Sequence, residues 1–261
     1  MKFLNATALK LIAALLMLPD HIHQMFAHAG APLWLTMAGR PVFPIFLFAA
    51  SESFAHTRSR KKYLLRLLAA SWGMTVFTFS LQRLIPNPDV VLMNNAFSTF
   101  FVSGLYMLFC DRLREGLMQK SVKKTAQAVL LGLIPIVCAL PLFLVALLSF
   151  RDDVPGSVIR ILAAAALLFP SVFTAEGGVA MVALGVSFYL FRNRRSVQIG
   201  ILLALSAAVY AMDGGVQWMM CLAAIPMALY DGKAGRGWKK FFYIFYPAHI
   251  GLLYLISALC A

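Results

Sequence analysis

The amino-acid sequence predicts an all-α polytopic integral membrane protein of about nine to ten transmembrane helices in one bundle, a single domain over residues 1–261. Three observations carry this. Hydrophobic residues make up 61% of the chain and charged ones 13%, where globular proteins carry about 25% charged. The apolar residues fall in blocks long enough to cross a hydrocarbon core of about 30 Å. No polar stretch between the blocks exceeds a short loop, so no separate soluble domain fits. The net charge of +13 clusters in short inter-helix loops, as in proteins that keep positive charge on the cytoplasmic side. It therefore gives no footing for a nucleic-acid partner.

The first span is read at 3–19. Lys2, the apolar run 11–18 and Ala27-His28-Ala29 imitate a cleaved signal peptide. Lys10 abuts the apolar region, however, and an aspartate and histidines precede the cleavage-like site, so the span is taken as uncleaved. An outer loop with a short apolar piece at 32–38 follows. The second span, near 41–56, opens on Pro41, whose missing N–H is harmless in a first turn. After the basic loop 58–62 comes a third span at 63–84, a turn with Pro86-Asn87-Pro88-Asp89, and a fourth span at 96–110. A second basic loop holds Arg112, Arg114, Lys120, Lys123 and Lys124, and a fifth span covers 126–150. Residues 157–191 form two apolar pieces divided by Pro170 and Gly177-Gly178, each short for a span and together long for one. A broken or re-entrant segment around Glu176-Gly177-Gly178 would reconcile them, provided it is buried in protein. The last spans are read at 197–212, 215–230 and 241–260, with basic loops at 192–195 and 233–240. Placing basic loops inside puts the amino terminus in the cytoplasm and His21 outside. One crossing within 153–192 gives nine spans and two give ten.

Polar residues inside the apolar runs are the candidate site. Lys10 and His21 are eleven positions apart, about 20° after whole turns, so they share a helix face at a separation of about 16 Å. A cation in an apolar run is expensive and marks a pathway or site. Arg40 precedes the second span at the level of His21, and Glu52, twelve residues on, lies at the depth of Lys10. A buried carboxylate and ammonium at one depth are expected to pair; a purely structural pair is the alternative. Glu52 and His56 are i, i+4 neighbours. Glu176 and Asp213, each beside a double glycine, are buried-acid candidates or helix caps. His21, His23 and His28 share one region, but only Asp20 could complete a set, so no metal is expected. Cys110, Cys138, Cys221 and Cys260 are dispersed without a CxxC pair and read as small hydrophobes.

The run LKLIAALLMLPDHIH through GRPVFPIFLFAASESFAHTRSRKKYLLRLL resembles the TraX family of membrane pilin amino-terminal acetyltransferases. Their first helix ends in Asp-His, and the second opens Gly-Arg-x-x-x-Pro-x-Phe and ends in a His-Thr-Arg-basic segment. Met93-Asn94-Asn95-Ala96-Phe97 and Phe242-Tyr243-Ile244-Phe245-Tyr246-Pro247-Ala248-His249 fit two later segments of that family. The spacing from Lys10 to His21 is also similar to the Arg, ten residues, His motif of bacterial membrane O-acyltransferases, with lysine losing the bidentate fork of arginine.

The resemblance implies a multi-pass protein of the bacterial inner membrane that moves an acetyl group from cytoplasmic acetyl-CoA to an outer acceptor: a pilin or other protein amine, a sugar or a lipid. His21 is then the base, with Asp20 as a possible orienting carboxylate, although sequence neighbours on a helix do not face each other. Arg40 would stabilise an oxyanion or hold the acceptor, above the Lys10–Glu52 pair. His56, Arg58, Arg60, Lys61, Lys62 and Arg66 would receive the coenzyme's phosphates; read otherwise, they are topology signals and contacts to membrane lipids. Asn95, Tyr243, Tyr246 and His249 are further candidates, the tyrosines also suiting an interfacial belt. A small transporter explains the buried charges and broken helices as well, and a non-enzymatic assembly factor is a third reading.

Overall fold

The computed structural model describes residues 2–151 and 153–260; Asp152, which follows the fifth expected span in the sequence, lies outside them. Among the described residues the regular structure is helical: α1 (Ala6–Phe26), α2 (Trp34–Gly39), α3 (Val42–Ala55), α4 (Arg60–Leu84), α5 (Ala96–Met118), α6 (Val122–Val137), α7 (Leu140–Leu148), α8 (Gly156–Leu168), α9 (Gly178–Leu190), α10 (Arg195–Asp213), a 3₁₀ helix (Val216–Ala223), α11 (Ala224–Leu229) and α12 (Lys239–Cys260).

Four stretches are long and apolar enough to cross a membrane, Arg60–Leu84, Val122–Leu148, Arg195–Asp213 and Lys240–Cys260, with three shorter apolar ones at Gly156–Leu168, Gly178–Leu190 and Val216–Leu229. Only 17–39% of each long stretch is buried. Leu130, Leu147, Ile161 and Leu203 face outward, as side chains solvated by lipid do. This is a helical membrane protein. Of the nine or ten expected spans, four are seen as long apolar stretches and three as shorter ones; α3 has 14 residues and α8 and α9 have 13 each, against the roughly 20 of a straight crossing.

Three boundaries also differ from expectation, each for a local reason. Pro19 lies inside α1 instead of ending it. Proline removes one helical hydrogen bond, but the turns beyond it are held by packing: Met25 is fully buried and its carbonyl accepts from Ser257 Oγ at 2.8 Å. The helix of the fourth expected span, α5, continues eight residues past Cys110 to Met118, so most of the second basic loop is helical and the turn itself is 119–121. Charge marked that segment as loop, but charged residues at a helix end are simply solvated. The fifth span breaks at Cys138-Ala139, just after Pro135. The region 157–191 is two helices with a non-helical link at 169–177, where Gly177 and Gly178 hold positive φ of 76° and 61°, a region glycine enters without penalty.

The helices fall into two compact units. Unit 1 comprises the chain up to Ala55, Val76–Met93, and the chain from Ser187 on. Here α1 packs on α2, α3 and α12, while α10 packs on the 3₁₀ helix and α11. The core is Leu9, Ala13 and Met17 of α1, Ile45, Leu47 and Phe48 of α3, and Ile250 and Tyr254 of α12. Asn5 caps α1 by accepting from Ala8 N at 2.9 Å. The preceding residues are strapped to the segment before α12: Phe3 N and Leu4 N donate to Leu229 O, Asp231 N to Leu4 O, and Ala6 N to Lys233 O. Gly235 (φ 70°) closes that strap, since a Cβ there would sit 2.4 Å from Asn5 Oδ1.

Unit 2 comprises His56–Thr75 and Asn94–Val186. Its α5–α6 hairpin turns on Ser121, which caps α6, and on Gly116, where a Cβ would meet Thr125 Oγ1 at 2.7 Å. Val102, Val172, Ala175 and Val182 form a buried cluster. Trp72 Nε1 donates to Leu168 O at 2.7 Å and so anchors the end of α8.

Candidate functional site

Asp20 and His21 are consecutive on α1, so their side chains diverge by about 100° and recruit different partners. Asp20 faces α2. The approach is close because position 39 is glycine: a Cβ there would lie 2.2 Å from Asp20 Cβ. That closeness brings Arg40, the residue after α2, onto the carboxylate. Arg40 Nη2 donates to Asp20 Oδ1 at 2.5 Å and to Thr36 Oγ1 at 2.6 Å, and Nε donates to Thr36 O at 3.0 Å. Its Nη1 donates to Gln217 Oε1 at 2.8 Å, reaching the 3₁₀ helix. The Thr36 hydroxyl in turn donates to Asp20 Oδ1 at 2.7 Å. An ion pair so hydrogen-bonded is stronger than a bare contact, and both partners are only about a quarter exposed.

His21 faces α12. It is buried, and its Nδ1 lies 2.6 Å from Nε2 of His249, also buried. Nδ1 of His249 lies 2.6 Å from Phe245 O, one turn back on α12. Phe245 stacks on the His249 ring at 4.6 Å and 16°. The ring of Tyr246 is 6.3 Å from His21 and 6.1 Å from His249. One end of unit 1 thus gathers a carboxylate, a guanidinium, two imidazoles and a phenol, a set suited to moving a proton beside a developing negative charge. Asp20, a possible orienting carboxylate for His21 in the sequence, instead bonds Arg40, as the divergence of helix neighbours requires, and His249 lies against His21.

The opposite end of the same helices holds Lys10 and Glu52. Lys10 Nζ donates to Ser53 Oγ at 3.5 Å, which places it at the depth of Glu52. The ion pair at Glu52 is with Arg195, at 4.0 Å from the first turn of α10. Arg195 also lies over the rings of Phe48 and Tyr230 at 4.2 and 5.2 Å and donates to Gln198 Oε1. The expected source of the balancing charge for Glu52 therefore extends to α10, whose start lies at this end of unit 1.

In unit 2, His56, Arg58, Lys61, Lys62 and Arg66 are exposed, while Arg60 pairs with Asp111 at 2.5 Å and ties the start of α4 to α5. Glu115, past the apolar part of α5, is held below the usual carboxylate range by its hydrogen bond to Lys124 and by Arg112. Asn95 caps α5 through Ser98 N, donates its amide to Ser71 and Thr75, and gives its backbone N–H to Glu176. Tyr243 is half-buried on α12. Asp213 ends α10 and is exposed, which corrects its reading as a buried acid. Among the described residues no three histidine, cysteine or acidic side chains converge, and the four cysteines are free.

Sequence reasoning missed Thr36, Gln217, Arg195 and the Phe245 carbonyl. Gln217 and Arg195 carried a signal, each being a polar residue set against an apolar run. Thr36 and a backbone carbonyl carry none.

A family model described as TraX protein matches residues 5–257. No curated protein matches the chain, and no solved structure does.

Proposed function

This chain belongs to the TraX family, and from that premise we propose that it is an acetyltransferase of the bacterial inner membrane. It takes acetyl groups from cytoplasmic acetyl-CoA and delivers them to an acceptor on the outer side, a pilin amino-terminal amine being the class the family suggests. The observation that carries the reading is the pairing of buried His21 with His249 one residue away from the Asp20–Arg40 pair. His21 accepts the proton of the acceptor amine or hydroxyl. The acceptor's nitrogen or oxygen forms the new bond to the acetyl carbon, the carbon–sulfur bond breaks, and the proton ends on the departing thiolate. Arg40 stabilises the negative charge that gathers on the carbonyl oxygen. Arg58, Lys61, Lys62 and Arg66 are exposed cations of one unit and fit the coenzyme's phosphates.

The test uses purified protein. Acetyl-CoA should raise its melting temperature, and adding acceptor should release free thiol. His21→Ala should cut thiol release about a hundred- to ten-thousandfold while the stabilisation by acetyl-CoA persists. Near-normal turnover would discard His21 as the base. A small transporter would release no thiol.

A further inference from the structure

We infer that His249 is a positioning residue that fixes the tautomer of His21 and makes Nε2 of His21 the proton-accepting nitrogen. This rests on the acetyltransferase reading above and specifies which atom of the site reacts.

A peptide carbonyl can only accept a hydrogen bond. Phe245 O lies 2.6 Å from His249 Nδ1, so that nitrogen carries the hydrogen and donates. A neutral imidazole has one N–H and one lone pair, so His249 Nε2 holds the lone pair. That lone pair faces His21 Nδ1 at 2.6 Å. His21 Nδ1 must therefore be the N–H, and the lone pair of His21 falls on Nε2. The opposite assignment would set two lone pairs, or two hydrogens, against each other.

A protonated His249 would reverse the order by donating from Nε2. It would also place a second cation in a buried site whose carboxylate, Asp20, already bonds Arg40, and a buried charge without a counter-ion is costly. The groups gathered here are Asp20 on α1, Arg40 between α2 and α3, and Tyr246 and His249 on α12. They supply one anion and one permanent cation, already joined.

The ring of His249 is held from its own helix. Phe245 stacks on it and accepts its hydrogen bond, both from one turn back. The group at the end of the relay is thus a backbone atom, which has no protonation state to change. When His21 Nε2 takes the acceptor's proton, its Nδ1–H keeps donating to His249, so the imidazolium is stabilised without a second proton transfer. A carboxylate does this for histidine in hydrolytic triads; a neutral imidazole does it here.

The experiment compares His249→Gln with His249→Phe in the full-length detergent-purified protein. Glutamine reaches with Oε1 to where Nε2 stood and keeps an acceptor for His21 Nδ1–H; phenylalanine keeps the ring and loses the acceptor. His249→Phe should lower kcat by at least about a hundredfold with KM for acetyl-CoA unchanged, and His249→Gln should stay within about tenfold of the parent. Equal impairment of both variants, or a near-normal His249→Phe, overturns the inference. ¹⁵N-histidine NMR of the resting protein provides a readout without turnover: His21 Nε2 should resonate as an unprotonated ring nitrogen, and an N–H signal there overturns the assignment. Failure of the parent reading looks different. An active His21→Ala removes the base itself, whereas an inactive His21→Ala beside an active His249→Phe removes only the role of His249.

Discussion

Arg40 in unit 1 and Asn95 in unit 2 each collect hydroxyls, backbone groups and a carboxylate, yet they finish with different valence. Asn95 is saturated. Its amide hydrogens reach Ser71 O, Ser71 Oγ and Thr75 Oγ1 at 3.0–3.1 Å, its Oδ1 takes Ser98 N, and its own N–H goes to Glu176 Oε2. Arg40 has five N–H groups. Four are committed among the described residues, to Thr36 twice, Asp20 and Gln217, which leaves one Nη1 hydrogen uncommitted among them. A polar cluster inside a helical protein is scaffolding when its donors and acceptors close on one another, and a candidate site when one is left over. By that criterion the Arg40 cluster is the candidate site and the Asn95 cluster is a stitch.

The comparison breaks most sharply at Arg40 itself. Arg40→Lys keeps the charge near Asp20 but loses the fork, and removal of one oxyanion donor costs about a hundred- to a thousandfold in kcat. Thiol release per folded molecule should fall by about that factor, and a lowered melting temperature should report the unfilled Thr36 and Gln217 acceptors. A full-rate Arg40→Lys would show that the remaining N–H does no chemistry. Gly39→Ala is the next largest. Its methyl must displace the Asp20 side chain, and overpacking of this kind costs about 1–3 kcal/mol; both stability and turnover should drop. Turnover unchanged would mean that the Asp20–Arg40 geometry is not needed. Asn95→Ala should show the smallest effect on chemistry. It should lose about 1–2 kcal/mol of stability, as N-cap removals do, with kcat per folded molecule unchanged. A drop in kcat at constant melting temperature would move Asn95 from stitch to site.

Much of this was legible along the chain, and what was not has physical causes. Lys10, His21, Arg40 and Glu52 stood out because charge in an apolar run has no cheap explanation, and counting the rise along two antiparallel helices put Lys10 level with the residues of α3 around Glu52. The resemblance drew attention to His249, but no spacing could pair it with His21 across 228 residues. Asp20 was legible as an acid and illegible in its role, because its partner was decided by a glycine, Gly39, whose smallness matters only once α1 and α2 are packed. Pro19 was read as a stop because a sequence shows only local composition. Local composition reports what a segment tolerates, while packing from Ser257 and Gly39 decides where the helix ends and how closely it is approached.

The strap between the first residues and the segment 229–236, together with the His21–His249 contact, also sets a clock. Unit 1 is assembled from the two ends of the chain, so its polar constellation cannot exist while the ribosome is still translating the middle. Arg40 waits 177 residues for Gln217 and His21 waits 228 for His249. At about 5–20 residues per second, the latter interval is roughly 11–46 s. Throughout that time the α5–α6 hairpin, whose contacts are local, is free to form. The His21–His249 contact is therefore late to form, and a ribosome stalled anywhere before codon 249 leaves a polypeptide in which the two imidazoles have never met.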